Sequence, residues 1–197
     1  MEDLRSLLAE LEVLESLQKQ RKRLNGIAYY IPNAMQYKAH KSKAKIIIYS
    51  GGNRSGKSTL GAVELSWHLT RKYPDWFPHE RRFRHPIKAV VVCDANAKIE
   101  KVIEPKINEY IPHDYIHSRR VIGGYLNRLT CKDESTVDFL SSEQDDMAFE
   151  GADWDFYWGD EPQKKKKFDA IMRGLIDRGG WTLLTFTPLV EPWMKEE

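Results

Sequence analysis

The stretch Gly51-Gly52-Asn53-Arg54-Ser55-Gly56-Lys57-Ser58 constrains this chain more than any other. It satisfies G-x-x-x-x-G-K-[ST] in full. It also has the setting the motif needs: an apolar run, Lys45 to Ser50, read as a short buried strand, comes before it, and helical spacing of Leu60, Val63, Leu65 and Leu69 follows. Glycines let backbone N–H groups curl around phosphate oxygens with no side chain in the way. The first turn of the following helix adds free N–H groups and the positive end of its dipole. In such a loop Lys57 reaches the β- and γ-phosphates and the Ser58 hydroxyl ligates Mg²⁺. Gly51, Gly52, Asn53, Arg54, Ser55, Gly56, Lys57, Ser58 and Thr59 are therefore the candidate nucleotide-binding segment. The competing view, a glycine-rich turn with a chance lysine, does not account for a full match in the right context.

Around this loop the pattern alternates. Leu4, Leu7, Leu8, Leu11, Leu14 and Leu17 recur at three- and four-residue steps, one apolar stripe on a helix of about six turns. That stripe reads as packing on the domain or as a partner contact. Residues 1–26 form this helical segment and 27–197 the core. Residues 27 to 45 read as a loop and Ser58 to Arg71 as a helix, broken by Pro74 and Pro78. A second buried strand spans Ile87 to Cys93, and a helix spans Asn96 to Tyr110, kinked or split at Pro105. Tyr125 to Cys131 and Thr136 to Ser141 read as a hairpin, Asp155 to Gly159 as a strand, Phe168 to Ile176 as a helix ended by Gly179-Gly180, and Thr182 to Thr187 as a last strand. Strands alternating with helices predict an α/β fold with a mainly parallel sheet.

A phosphate cradle alone hydrolyses nothing; a second acid must hold the metal and another group must position water. The apolar strand at Asp155 to Gly159 runs into Asp160 and Glu161. Adjacent residues at a strand end point in different directions. The pair can thus divide the two roles, Asp160 toward Mg²⁺ and Glu161 toward the attacking water. The same dipeptide in isolation is usually an exposed turn. In Thr185-Phe186-Thr187 hydroxyls stand where the ligand edge of the sheet should be, able to sense the γ-phosphate; β-propensity explains the threonines equally well.

With these residues in view, the chain resembles the large terminase subunit, the DNA-packaging ATPase of tailed bacteriophages. Gly-Gly-Asn-Arg-Ser-Gly-Lys-Ser is similar to that family's Walker A loop. Phe149 to Asp155 followed by Gly159-Asp160-Glu161-Pro162 is similar to its approach to Walker B, and Leu184-Thr185-Phe186-Thr187-Pro188 to its coupling motif. The resemblance covers roughly residues 30 to 190. It implies an ASCE-type P-loop NTPase fold, a three-layer sandwich, with ATP and Mg²⁺ bound. It implies catalytic roles for Glu161 and Arg54, metal ligation by Ser58 and Asp160, and coupling through Thr185 and Thr187. It makes Gln36 the adenine reader, with Tyr29, Tyr30 or Tyr37 stacking on the base; the bland alternative for Gln36 is an exposed loop residue. The implied partners are double-stranded DNA, a portal protein, a small terminase subunit and further copies in a ring on the procapsid. The isolated chain is expected to be monomeric, and the implied location is the host cell cytoplasm.

Two departures from the family matter. Ser142 to Ala148 holds no arginine ahead of Walker B, so a trans-acting finger would come from Arg119, Arg120, Arg128, Arg173 or Arg178, and the isolated chain is expected to be a slow ATPase. The sequence ends just past Pro188, without the family's lid and nuclease regions, so no nuclease activity is expected of it. The runner-up readings are a helicase-like translocase and a nucleotide-binding scaffold that does not turn over.

Composition is compatible with all of this. With 197 residues, 41% hydrophobic and 30% charged, one globular core is expected. A net charge of +2 neither demands nor excludes nucleic acid. No signal peptide is recognisable and the apolar runs are too short to cross a bilayer, so a soluble intracellular protein is expected. Cys93 and Cys131 read as buried free thiols. The Lys164–Lys167 run and the Lys38, Lys41, Lys43, Lys45 cluster read as solvated faces or as DNA contacts. His113 and His117 read as surface histidines rather than ligands, and Trp154, Trp158 and Trp181 as core packing.

Overall fold

The computed structural model describes residues 2–161 and 163–188, without the side chains of residues 2, 3 and 22–24; Met1, Pro162 of the segment read as Walker B, and residues 189–197 lie outside the described residues. Helix α1 runs from Glu2 to Leu24. Its leucine stripe does not pack on the domain: Leu4, Leu7, Leu8, Leu11, Leu14 and Leu17 are 47–65% exposed. The expected loop at 27–45 also needs correction. A 3-10 turn covers Gly26–Tyr29 and helix α2 covers Ala34–His40. The cause is a reciprocal cap. Gln36 N–H donates to Asn33 Oδ1 at 2.9 Å, and Asn33 N–H donates to Gln36 Oε1 at 3.0 Å.

Strand β1 (Ile46–Ser50) leads through the glycine loop into α3 (Lys57–Thr70). Next come β2 (Lys88–Cys93) and a helical stretch in three parts: α4 (Asn96–Lys98), a π turn (Ile99–Ile103) and α5 (Glu104–Tyr110). Pro105 lacks the N–H an α-helix would use at that point, and the wider π turn lies just ahead of it. A strand absent from the sequence reading follows, β3 (Ile116–Ile122), before the expected hairpin of β4 (Tyr125–Cys131) and β5 (Thr136–Ser141). Finally come β6 (Phe156–Asp160), α6 (Lys165–Arg178) and β7 (Trp181–Phe186). Gly179, at φ 63°, ends α6 as expected.

The seven strands form one sheet in the order β1-β7-β6-β2-β5-β4-β3. Pairings from β1 through β5 are parallel; β4 and β3 add an antiparallel hairpin at the far edge. Strand β1, at the sheet edge among the described residues, is buried on one face only: Ile47 and Tyr49 point into the core, while Ile46 and Ile48 are exposed. The strand expected at Lys45 to Ser50 is present, but only one of its faces is buried.

Alternation along the central strands makes two cores. Ala89, Val91, Phe156, Trp158 and Leu183 meet Leu60, Val63 and Ile107 of α3 and α5. Val90, Val92, Tyr157, Leu184 and Phe186 meet Phe168, Ile171 and Leu175 of α6. This is an α/β three-layer sandwich with a mainly parallel sheet. Trp154, Trp158 and Trp181 are buried in it and both cysteines are buried and unpaired, as expected. At Gly61 a Cβ would sit 2.0 Å from the Trp158 ring, so the absent side chain is what lets α3 lie directly on β6. No described helix is long and apolar enough to cross a membrane.

Candidate active site

Parallel pairing brings the C-terminal ends of β1, β6 and β7 to one edge of the sheet, where open α/β folds place their ligands. The loop after β1 wraps over the start of α3. Gly56 sits at φ 85°, a left-handed turn that glycine adopts without strain. Lys57 is 9% exposed, and its ammonium donates to the carbonyls of Gly51 and Gly52 at 2.8 and 2.9 Å. Ser55 Oγ is buried in the loop with no hydrogen-bond partner. Asn53, Arg54, Gly56, Lys57, Ser58 and Thr59 line a cleft of about 400 Å³ with Asp160 and Glu161 opposite.

The loop and the acids touch. Ser58 Oγ lies 3.2 Å from Asp160 Oδ1 and 3.4 Å from Oδ2. Thr185 of β7 and Thr187, just past its end, hold the two acids: Thr185 Oγ1 donates to Asp160 Oδ1 at 2.8 Å, and Thr187 donates to Glu161 from its N–H and its hydroxyl, both at 3.1 Å. A further residue reaches in from α4. Lys98 Nζ is 3.2 Å from Asp160 Oδ2, 3.4 Å from Asp94 Oδ1 and 3.9 Å from Glu161 Oε1. Burial raises the pKa of the Asp160 carboxyl, with Lys98 and Thr185 opposing. Burial works against the Lys98 charge, but Asp160, Asp94 and Glu161 outweigh it and raise the ammonium's pKa. The Ser58 hydroxyl beside a buried carboxylate is an oxygen pair of the kind Mg²⁺ takes while keeping several waters, so the residues fit that ion.

The model of the N-terminal part of the T4-like-virus type of terminase large subunit matches residues 48–196. The chain belongs to the terminase large subunit family. Solved structures agree in fold. The ATPase domain of the large terminase of Thermus phage P74-26 superposes with a TM-score of 0.68 at 21% identity, covering 87% of this chain and 70% of that one. The large terminase of another thermophilic bacteriophage gives 0.59 at 11% identity, over 80% of this chain and 39% of that one. A structure of that second terminase in complex with ADP gives 0.55 at 13% identity, over 78% and 38%. No curated protein matches.

Within this terminase fold several expected residues sit differently from their sequence reading. Gln36 is 5% exposed, and both ends of its amide are engaged, Oε1 on Asn33 N–H and Nε2 on the Gly56 carbonyl at 3.0 Å. It is neither an exposed loop residue nor free to read a base without breaking these bonds; it ties α2 to the glycine loop. Tyr30 is committed to the core, its hydroxyl 3.1 Å from His40 Nε2, while Tyr29 and Tyr37 remain 38% exposed. Of the arginines weighed as trans-acting, Arg119 pairs with Glu104, Arg128 with Asp138 and Arg178 with Asp155. Arg120 is exposed on β3, and Arg173 lies beside Asp177 on α6, away from the cleft. The lysine run is partly internal: Lys166 pairs with Asp146, Lys165 with Asp169, and buried Lys167 donates to the carbonyls of Ser142 and Gln144. Lys43 pairs with Glu80, and Lys45 stacks on Trp181. His113 and His117 lie on a 3-10 turn and on β3, not on one helix. Lys98 had no signature in the sequence beyond a lysine four residues after an aspartate.

Proposed function

We propose that this chain is the ATP-hydrolysing motor domain of a phage packaging machine, driving double-stranded DNA into a procapsid. The observation carrying the reading is the joint clasp of the two acids: Ser58 and Thr185 on Asp160, Thr187 on Glu161. In this reading the loop N–H groups and Lys57 hold the triphosphate, and Arg54 offers its guanidinium at the γ-phosphate end. Ser58 and Asp160 would hold Mg²⁺, which supplies charge neutralisation on the β- and γ-oxygens when bound. Glu161 accepts a hydrogen bond from the attacking water and so aims it; water and ATP become ADP and phosphate. Thr187 donates to Glu161 through its own backbone N–H, so a change in what Glu161 holds is felt by the chain after β7. That is the proposed coupling step. Portal protein, small terminase subunit and other copies of the chain are the partners this role requires, and the host cell cytoplasm is where it would work. The 27–197 core would be the motor domain proper, with residues 1–26 as an appended helix.

The test separates binding from turnover. Glu161→Gln is expected to abolish phosphate release while a fluorescent ATP analogue binds within about threefold of the parent affinity. Lys57→Ala should lose at least about tenfold in that affinity, because the phosphates lose their cation. Unchanged phosphate release in Glu161→Gln would instead support the scaffold reading.

A further inference from the structure

Three carboxylates, Asp94, Asp160 and Glu161, lie within 3.9 Å of one ammonium, that of Lys98. Asp160 is 1% exposed and its four close contacts are fixed in direction. Thr185 takes Oδ1, Ser58 spans both oxygens, and Lys98 takes Oδ2. The ammonium therefore stands on the same carboxylate, beside the same serine hydroxyl, that fit a divalent cation. Asp94, just past the end of β2 and 56% exposed at its side chain, offers Lys98 a second place to rest, 3.4 Å away. A lysine head on a flexible four-carbon stem exchanges partners readily.

We propose that Lys98 is the resident counter-cation of the acid pair: it occupies the metal side of Asp160 until nucleotide brings Mg²⁺, and then withdraws to Asp94. This rests on the ATP-site reading above and deepens it, since it makes metal entry conditional on nucleotide. A positive charge in contact with the metal's own ligand repels a second cation, and burial leaves little water to screen the two. Metal alone is then bound weakly, whereas a metal already carried on phosphates arrives with its charge offset.

The test uses Mn²⁺ as probe, followed by the electron-paramagnetic signal of the free ion, with the 197-residue chain and no nucleotide. Lys98→Met is expected to bind Mn²⁺ alone about tenfold or more tighter than the parent. Lys98→Arg, which keeps the charge, should stay near the parent. Adding Asp160→Asn to Lys98→Met should remove the gain. An unchanged or weaker affinity in Lys98→Met overturns the proposal, and so does a gain in Lys98→Arg equal to that in Lys98→Met. Asp94→Asn supplies a second arm should Lys98→Met fail to fold. By removing the resting place it should weaken Mn²⁺ binding in the presence of ADP severalfold, and unchanged or tighter binding there also overturns the idea. The underlying reading fails separately. If ADP does not tighten Mn²⁺ binding to the parent at all, the nucleotide site is wrong; if it does while Lys98→Met shows no gain, only the counter-cation role is lost.

Discussion

Glu161 holds a left-handed backbone, φ 73°, although it is not a glycine. Such a conformation costs on the order of 1–3 kcal/mol and persists only where the surroundings impose it. Here they do: the Glu161 N–H donates to the Thr185 carbonyl at 2.8 Å, and Thr187 grips the carboxylate twice. Thr185 and Thr187 are two apart, so the period of a strand puts both hydroxyls on one side, while Phe186 between them faces the α6 core. Replacing Thr187 by Val leaves the backbone donor but removes the hydroxyl donor. Turnover should fall roughly ten- to a hundredfold through misplacement of Glu161, with nucleotide affinity nearly unchanged, as measured by phosphate release and analogue binding. A Thr187→Val chain that turns over normally would detach β7 from the chemistry. Thr185→Val should behave differently. It strands the buried Trp158 indole N–H, which donates to Thr185 Oγ1 at 2.9 Å, and so costs about 1–3 kcal/mol of stability as well.

At the scale of elements, the contact between α3 and β6 aligns the loop with the acids, and Gly61 permits it. Gly61→Ala would put a methyl 2.0 Å from the Trp158 ring, and that ring cannot yield without dragging Thr185. Overpacking of this kind costs about 1–3 kcal/mol, which for a domain of this size lowers the melting midpoint by roughly 2–12 °C. A scanning-calorimetry midpoint unchanged in Gly61→Ala would show that the layers have slack. The same contact explains what could be read in the sequence. The loop, its helix and the strand ending in Asp160 carry strong local patterns, because a central parallel strand buried on both faces is continuously apolar and a loop with a left-handed turn needs glycine. Strand β3 carries no such pattern: an antiparallel edge strand whose residues are nearly all exposed, Ile-His-Ser-Arg-Arg-Val-Ile, has no core face to write into the sequence. Helix α2 was legible in principle, since Asn33 and Gln36 have capping-box spacing, but Pro32 and the following lysines suggested a loop. Lys98 was not legible at all. Its role comes from three acids at the ends of two strands, β2 and β6, facing a lysine on α4, which only the fold brings together.

Across the whole molecule, the loop helix is anchored by a buried charge cluster far from solvent. Glu64 of α3 pairs with Arg81 and with His40 Nδ1 at 2.8 Å, and His68 Nε2 lies 3.8 Å away; all four side chains are fully buried. Around them pack Tyr30, Trp67, Tyr73 and Phe77. Burial alone would raise the Glu64 carboxyl, but Arg81, His40 and His68 hold it well below the ordinary 4.5. Burial also pushes His68 below its ordinary 6.5, against the pull of Glu64. Both groups bind protons more readily in the unfolded chain than in the native one, so their stabilisation is complete above the unfolded values and is lost as pH falls. Asp160, raised by burial, contributes with the opposite sign in the acid range. The melting midpoint should therefore be level near pH 7 to 8, decline as pH drops below about 6.5 through His68, and fall more steeply below about 4.5 as the unfolded carboxylates take up protons. Glu64→Gln tests the assignment, because it leaves the Arg81 guanidinium buried without its counter-charge. The loss should be about 3–5 kcal/mol at pH 7, a drop of roughly 6–20 °C, together with a shallower acid limb. A variant as stable as the parent, with the same acid limb, would mean that α3, the helix after the glycine loop, is held by its apolar contacts alone.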